Sequence, residues 1–168
     1  MINENDYMAY KKSFNKCLDK GKVGEEEIYN WLLKKEQLGN IKRVDDVRND
    51  PVYQKKDIDF IITFFDNRKT YIDVKTDYLM YKTNNFVYEK EKRDYLGVNE
   101  TSEAKFFLYY DIVNKKIYYV DVEKFKEYIH KNYISLPMKY IGDTSRGYLI
   151  NKDEMIKNEL ILKIERIE

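Results

Sequence analysis

The octapeptide Ile58-Asp59-Phe60-Ile61-Ile62-Thr63-Phe64-Phe65 restricts the fold more than any other feature, because its side chains are largely apolar on both faces of an extended chain. Successive strand residues point to opposite sides, so such a segment needs packing above and below it. The spacing predicts a strand over Asp57 to Phe65 that runs inside a sheet rather than along its edge. Turn residues Asp66-Asn67-Arg68 follow, then a second strand over Lys69 to Thr76, whose alternation places Tyr71, Asp73 and Lys75 on one face and Ile72 and Val74 on the other. The two strands read as a hairpin.

The flanking sequence supplies the layers. From Asp6 to about Glu36, Tyr7, Tyr10, Phe14, Cys17 and Leu18, then Val23, Ile28, Trp31 and Leu32, recur at helical spacing, with Gly21 and Gly24 expected to divide the segment into two helices. Ile41 to Val47 reads as a strand, as do stretches near Phe86 to Lys90, Lys105 to Asp111 and Lys116 to Val120, the last two joined through Asn114-Lys115. Val122, Phe125, Tyr128, Ile129 and Tyr133 form a helical stripe, and short strands follow near Met138 to Ile141, Tyr148 to Ile150 and Leu160 to Ile164. The expected architecture is α/β, a central mixed β-sheet flanked by helices. At 168 residues, with Pro51 and Pro137 in loops and no repeat, one domain over 1–168 is expected.

Composition excludes some classes. No apolar run approaches the roughly 18 residues of a membrane span, and the N-terminal residues lack the pattern of a secretory signal, so a cytoplasmic protein is expected. Cys17, the single cysteine, has no disulfide partner and no zinc-ligand neighbours, and reads as a core thiol. Thirty-one basic against thirty acidic residues leave a formal charge of +1, so no global field advertises an anionic partner. The cluster Lys11, Lys12, Lys16, Lys20 and Lys22 reads as a solvated helix face, and the seventeen tyrosines as stacking platforms or as drift in an AT-rich coding sequence.

Chemistry concentrates on the second hairpin strand. Asp73 and Lys75 share a face, setting a carboxylate and an ammonium in one space while Val74 anchors the strand. A carboxylate can hold a hard divalent cation while a neighbouring lysine orients water or stabilises charge in phosphodiester hydrolysis. One carboxylate is rarely enough, and Asp59 is the expected second. A three-residue loop at Asp66 to Arg68 would pair Phe65 with Lys69, Ile61 with Asp73 and Asp59 with Lys75, bringing the three groups together. The convergence requires an odd-length loop or a β-bulge.

The tripeptide by itself is commonplace, since 30 acids and 25 lysines give an acid-x-Lys triplet about four times by chance. The other occurrence, Glu103-Ala104-Lys105, lacks a buried-strand context. The plainer account of Asp73 and Lys75 is a surface ion pair worth about 0 to 1 kcal/mol. Adding Asp59 shifts the balance, because three convergent buried charges are costly unless a metal or partner compensates.

The order Gly24-Glu25, Asp59, Asp73-Val74-Lys75 resembles the PD-(D/E)xK, or restriction-endonuclease-like, nuclease superfamily over most of the chain, and is similar to small phage and bacterial members. The resemblance implies a restriction-endonuclease-like core. It further implies catalytic roles for Glu25, Asp59, Asp73 and Lys75, with Mg²⁺, replaceable by Mn²⁺, held by Asp59, Asp73, the Val74 carbonyl and Glu25; Glu26 is the fallback for Glu25. The sequence departs from the family pattern in that Ile58, not proline, precedes Asp59, and the extra acid Asp57 adds a competing choice. Lys75-Thr76-Asp77 followed by Thr83-Asn84-Asn85-Phe86-Val87-Tyr88-Glu89 is also similar to those members, and Gly142-Asp143-Thr144-Ser145-Arg146-Gly147-Tyr148-Leu149-Ile150 resembles their C-terminal strand pair.

Around this core, Asp57, Asp77, Asn84 and Glu89 are candidate supporting residues. Glu89 reads equally well as a strand-edge acid paired with Lys90 or Lys92, and Asp77 as a cap. Lys22, Lys82, Lys90, Lys92 and Arg93 are weak candidates for phosphate contacts. His130 reads as a partly exposed surface residue. The expected activity is metal-dependent hydrolysis of nucleic acid, DNA ahead of RNA, with water as nucleophile, in a bacterial or phage-infected cell. The alternatives are a dimeric resolvase of branched DNA, and a binding module that retains the fold without cleaving.

Overall fold

The computed structural model describes residues 4–92, 95–141 and 145–167, with side chains described from residue 21 onward. The expectations for Tyr7, Tyr10, Phe14, Cys17, Leu18 and the lysines between 11 and 20 lie outside the described side chains. Those for Arg93 and Gly142-Asp143-Thr144 lie outside the described residues.

The chain begins with α1 (Glu4–Gln37), then β1 (Arg43–Asp46), a single turn α2 (Pro51–Gln54), β2 (Phe60–Thr63) and β3 (Lys69–Asp77). Next come α3 (Met80–Thr83), β4 (Asn85–Lys92), β5 (Tyr95–Leu96), α4 (Val98–Thr101), β6 (Phe106–Asp111) and β7 (Lys116–Asp121). It ends with α5 (Val122–Asn132), β8 (Lys139–Tyr140), β9 (Ser145–Asn151), α6 (Lys152–Lys157) and β10 (Ile161–Arg166). Among the described residues the strands form two sheets, one in the order β1-β2-β3-β6-β7-β10 and a smaller one in the order β5-β4-β9-β8.

In the larger sheet β3 and β6 run parallel while the other neighbours run antiparallel, so the expected mixed sheet is present and β2 is internal to it. Alternation sorts its side chains into two cores. Phe60, Ile62, Ile72, Val74, Leu108 and Ile117 pack with Ile28, Trp31 and Leu32 of α1. On the other face Ile61, Phe107, Tyr109, Tyr118 and Val120 pack with Phe125 and Ile129 of α5 and with Phe86, Tyr88, Tyr148 and Ile150 of the smaller sheet. This is an α/β fold with a mixed central sheet flanked by helices. Strands β4, β8 and β9 of the smaller sheet were expected, but not β5 or the separation into a second layer, because β4 and β9 are about sixty positions apart and pair only in the folded chain.

Several local expectations change. Helix α1 is one element of 34 residues, not two helices divided at Gly21 and Gly24. A helical glycine costs only about 1 kcal/mol, and Gly24 has a packing reason: a Cβ there would stand 2.0 Å from Thr76 Oγ1. The missing side chain lets α1 lie directly on β3. Val23 and Tyr133, both assigned to apolar stripes, are exposed. Strand β2 is shorter than Asp57 to Phe65: Asp57 takes a left-handed turn at φ 52, and Phe65 is exposed. No helix among the described residues is long and apolar enough to cross a membrane.

Candidate active site

The hairpin pairs Thr63 with Lys69, Ile62 with Thr70, Ile61 with Tyr71 and Phe60 with Ile72. The expected pairing of Ile61 with Asp73 is therefore displaced by two positions, and Asp59 does not pair with Lys75. The connection runs from 64 to 68 rather than over three residues: Phe64 N–H donates to the Arg68 carbonyl at 2.9 Å, and Asn67 adopts φ 64. Because the displacement is even, the faces are preserved, and Asp73 and Lys75 still share theirs with Tyr71.

At Asp59 the ladder goes out of step. Its N–H donates to the Ile72 carbonyl at 2.8 Å, although Ile72 is already the register partner of Phe60. The Asp59 carboxylate turns across to β3, where Oδ2 accepts from the Val74 N–H at 2.7 Å. Asp59 thus completes the hydrogen bonding of β3 where β2 has stopped, which holds its carboxylate beside the Asp73-Val74-Lys75 segment.

Asp73 is 5% exposed, and Lys75 Nζ lies 2.5 Å from its Oδ2. The ammonium also stands 5.2 Å from the centre of the Phe107 ring, a favourable placement over an aromatic face. Lys75 is the partner of Asp73 Oδ2 in this buried setting. Burial pushes the Asp73 carboxyl up to about 7, against the attraction of Lys75, and the charge of Asp59 adds to the rise. Asp59 is raised mainly by burial, opposed by its bond from Val74. Burial works against the Lys75 ammonium, yet the charges of Asp73 and Asp59 outweigh it and raise its pKa, so Lys75 remains a cation.

Glu25 approaches from α1. Burial and the charge of Asp59 raise its pKa, while Arg48, Lys22 and Lys75 oppose the rise. Glu25 and Asp59 therefore stand close enough to repel. Arg48, which the sequence reading did not single out, lies 3.9 Å from Glu25, 3.1 Å from Glu26 and 2.6 Å from Asp46. Its guanidinium covers the rings of Tyr29 and Phe60 at 5.3 and 5.0 Å. The only sequence signal was Asp46, two residues before it; the rest of the cluster is tertiary. Glu26 is exposed and bound to Arg48, leaving Glu25 the better-placed acid.

Lys75 opens on a cleft of about 300 Å³ whose opposite wall includes Val87, Glu89, Val98 and Asn99. Glu89 is paired with neither Lys90 nor Lys92: its Oε1 accepts from the Val98 N–H at 3.2 Å, and its own N–H donates to Asn99 Oδ1 at 2.9 Å. Asn99, buried, also donates to the Tyr109 hydroxyl at 3.3 Å, and that hydroxyl donates to the Val87 carbonyl at 2.5 Å. The network fixes Glu89 on the wall facing Lys75. Gly97 permits it, since a Cβ there would meet the Glu89 carbonyl oxygen at 2.4 Å.

The remaining candidates divide. Asp57 takes a hydrogen bond from Thr101 at 3.1 Å, and its charge contributes to the raised pKa of Asp73 and Asp59, so it supports the site electrostatically. Asp77 is a cap rather than a brace for Lys75: its Oδ1 accepts from the N–H groups of Leu79 and Met80 at 2.6 and 2.8 Å. Asn84 is exposed and closes α3 in a left-handed conformation, away from the residues that line the Lys75 cleft. Lys90 is held by Glu100 at 2.8 Å, so it is not a free phosphate contact, whereas Lys22, Lys82 and Lys92 are exposed. His130 is half-exposed, 3.2 Å from Glu100.

The donors suit a hard divalent cation in being carboxylate oxygens, and Asp73 Oδ2 is already engaged by the Lys75 ammonium. They are not drawn together in advance, for no three acids, histidines or cysteines among the described residues form a ligand cluster. Comparison with protein-family models, curated proteins and solved structures finds no match to the chain.

Proposed function

We propose that the chain is a metal-dependent nuclease that hydrolyses phosphodiester bonds, in DNA ahead of RNA, on a restriction-endonuclease-like core. The observation that carries this reading is the buried Asp73–Lys75 pair, with the Asp59 carboxylate bound to the intervening residue and a cleft open at Lys75. Burying Asp73 against a half-buried ammonium, with a second half-buried acid at Asp59, costs stability that an ordinary surface ion pair would not, and such costs concentrate where chemistry needs them.

Asp59, Asp73 and the Val74 carbonyl would hold Mg²⁺ or Mn²⁺, with Glu25 reaching in from α1. Bound there, the cation would polarise a phosphoryl oxygen and lower the pKa of water. Lys75 remains protonated, so its part is to orient the attacking water and to stabilise charge developing on phosphate, not to remove a proton. Water would form the new P–O bond as the bond to the leaving oxygen breaks, its proton passing to solvent and the leaving oxygen taking one from solvent, and no covalent enzyme intermediate is required. Glu89, fixed across the cleft, would orient substrate or water.

A second reading has a specific observation in its favour. The acids are not assembled as a ligand cluster, and Arg48 partly neutralises Glu25, as a binding module that does not cleave would also allow. Cleavage of linear duplex, single-stranded, branched and RNA substrates with and without Mg²⁺, by wild type, Lys75→Ala and Asp73→Ala, separates the two. Metal-dependent cutting by wild type that falls at least about a hundredfold in both variants is expected; no cutting, or equal cutting by all three, overturns the nuclease reading.

A further inference from the structure

Two cavities meet at the C-terminal end of β3. The cleft of about 300 Å³ beside Lys75 shares Thr76, Asp77 and Val87 with a second of about 650 Å³, so the larger opens off the smaller. Val87 and Leu149 are cross-strand partners on the face of the smaller sheet opposite to Phe86, Tyr88, Tyr148 and Ile150. They floor an apolar slot. At its rim stand Tyr140, 78% exposed, and Leu79, 62% exposed, and Asn85 and Thr83 add an amide and a hydroxyl.

This lining is poorly made for phosphate, since no Lys or Arg among the described residues borders the larger cleft. Flat apolar walls, an aromatic ring and a few hydrogen-bonding groups suit a nucleobase, whose faces stack and whose edge hydrogen-bonds. Within a duplex those faces are covered by neighbouring bases, so only an unstacked base can enter.

We propose that the larger cleft receives an unpaired base of the substrate strand, next to the phosphate met by Lys75, which makes the site selective for single-stranded or locally unpaired nucleic acid. The proposal rests on the nuclease reading for the position of the phosphate, while occupancy of the cleft by a base is measurable without cleavage. Stacking on Tyr140 supplies affinity that does not depend on base identity, so selectivity is for strand state rather than sequence.

The test is binding of a short DNA strand carrying 2-aminopurine, alone and annealed to its complement, in a chelator that prevents metal-dependent cleavage. Wild type is expected to quench the base and to bind the single strand roughly tenfold more tightly than the duplex. Tyr140→Ala is expected to weaken single-strand binding by roughly tenfold and leave duplex binding unchanged. Leu79→Ala, on the same rim, is expected to shift binding in the same direction. Both residues are largely exposed, so neither change threatens the fold. Equal affinity for single strand and duplex, or unaltered single-strand binding in both variants, overturns the proposal. If the binding pattern holds but Mg²⁺ supports no cutting of any strand, the base cleft stands and the nuclease reading fails.

Discussion

The Asp59 carboxylate takes the Val74 N–H at 2.7 Å, and so a side chain just before β2 finishes the backbone bonding of β3 at the centre of the candidate site. The bond to Val74 is structural, and under the proposed function the same carboxylate would also hold the cation beside Asp73. Asp59→Asn keeps an acceptor for that N–H, whereas Asp59→Ala removes it and leaves a buried donor unpaired. Urea unfolding should show Asp59→Ala less stable than Asp59→Asn by about 1 to 3 kcal/mol, with Mg²⁺ binding by calorimetry weakened in both. Equal stability of the two variants would show that the bond to Val74 contributes nothing.

Asp73 gives the site a pH signature. Its pKa is raised from 3.8 to about 7 by burial, so the native state binds its proton more tightly than the unfolded chain does. The stability it contributes is complete below 3.8 and is lost as pH rises through about 7. Asp46, lowered chiefly by its bond from Arg48, has the opposite sign: its contribution is present above its ordinary value and is lost as pH falls through its lowered one. Comparison with Asp73→Asn isolates the first effect. Metal-free wild type should lose thermal stability relative to that variant as pH rises from about 4 to 8, and Mg²⁺ should reduce the loss. Parallel profiles for the two proteins would refute the assignment.

Gly24 predicts a coupled pair. Gly24→Ala forces a methyl against Thr76, whose Oγ1 and Cβ lie 2.0 and 2.7 Å from the ideal Cβ position. A loss of about 1 to 3 kcal/mol is expected, even though alanine favours helix. Thr76→Ala should recover only part of it, because the Thr76 Cβ remains. A strictly additive double-mutant cycle in urea unfolding would show that α1 does not bear on β3 at this point.

Asn99 joins the Glu89 backbone to the Tyr109 hydroxyl behind the cleft wall. Asn99→Ala strands the Glu89 N–H and leaves the Tyr109 hydroxyl with its bond to the Val87 carbonyl alone, and should cost about 1 to 3 kcal/mol. The Asn99→Asp variant keeps an acceptor for the Glu89 N–H but brings a negative charge beside that acid and loses the donor to Tyr109, so it should not rescue. Thermal melts of the three proteins test the order wild type above both variants; an Asn99→Ala melt identical to wild type would remove the network from the account.

What was legible in the sequence follows from the period of a strand. Alternation through Tyr71, Ile72, Asp73, Val74 and Lys75 settled which side chains share a face, and the apolar run at Phe60 to Thr63 required layers on both sides. The pairing offset was not legible, because the left-handed Asn67 and the Phe64-to-Arg68 bond belong to a five-residue connection that looks like a three-residue turn in composition. Arg48 was invisible for a related reason: its partners Glu25 and Glu26 lie over twenty positions away. Asn99 gave only the weak signal of Gly97 before a short turn.

The parallel pairing of β3 with β6 has a kinetic consequence. Asp59 and Asp73 are brought together by a local hairpin, whereas the wall carrying Glu89 and Asn99 takes its final place only when Ile72 meets Phe106 and the intervening chain closes as a long loop. Closing a short loop costs less chain entropy than closing a long one, and local contacts form sooner. During folding the carboxylates are therefore expected to become neighbours before the cleft exists to shelter them, and the wall, which also waits for β9 to pair with β4, is expected to mature last.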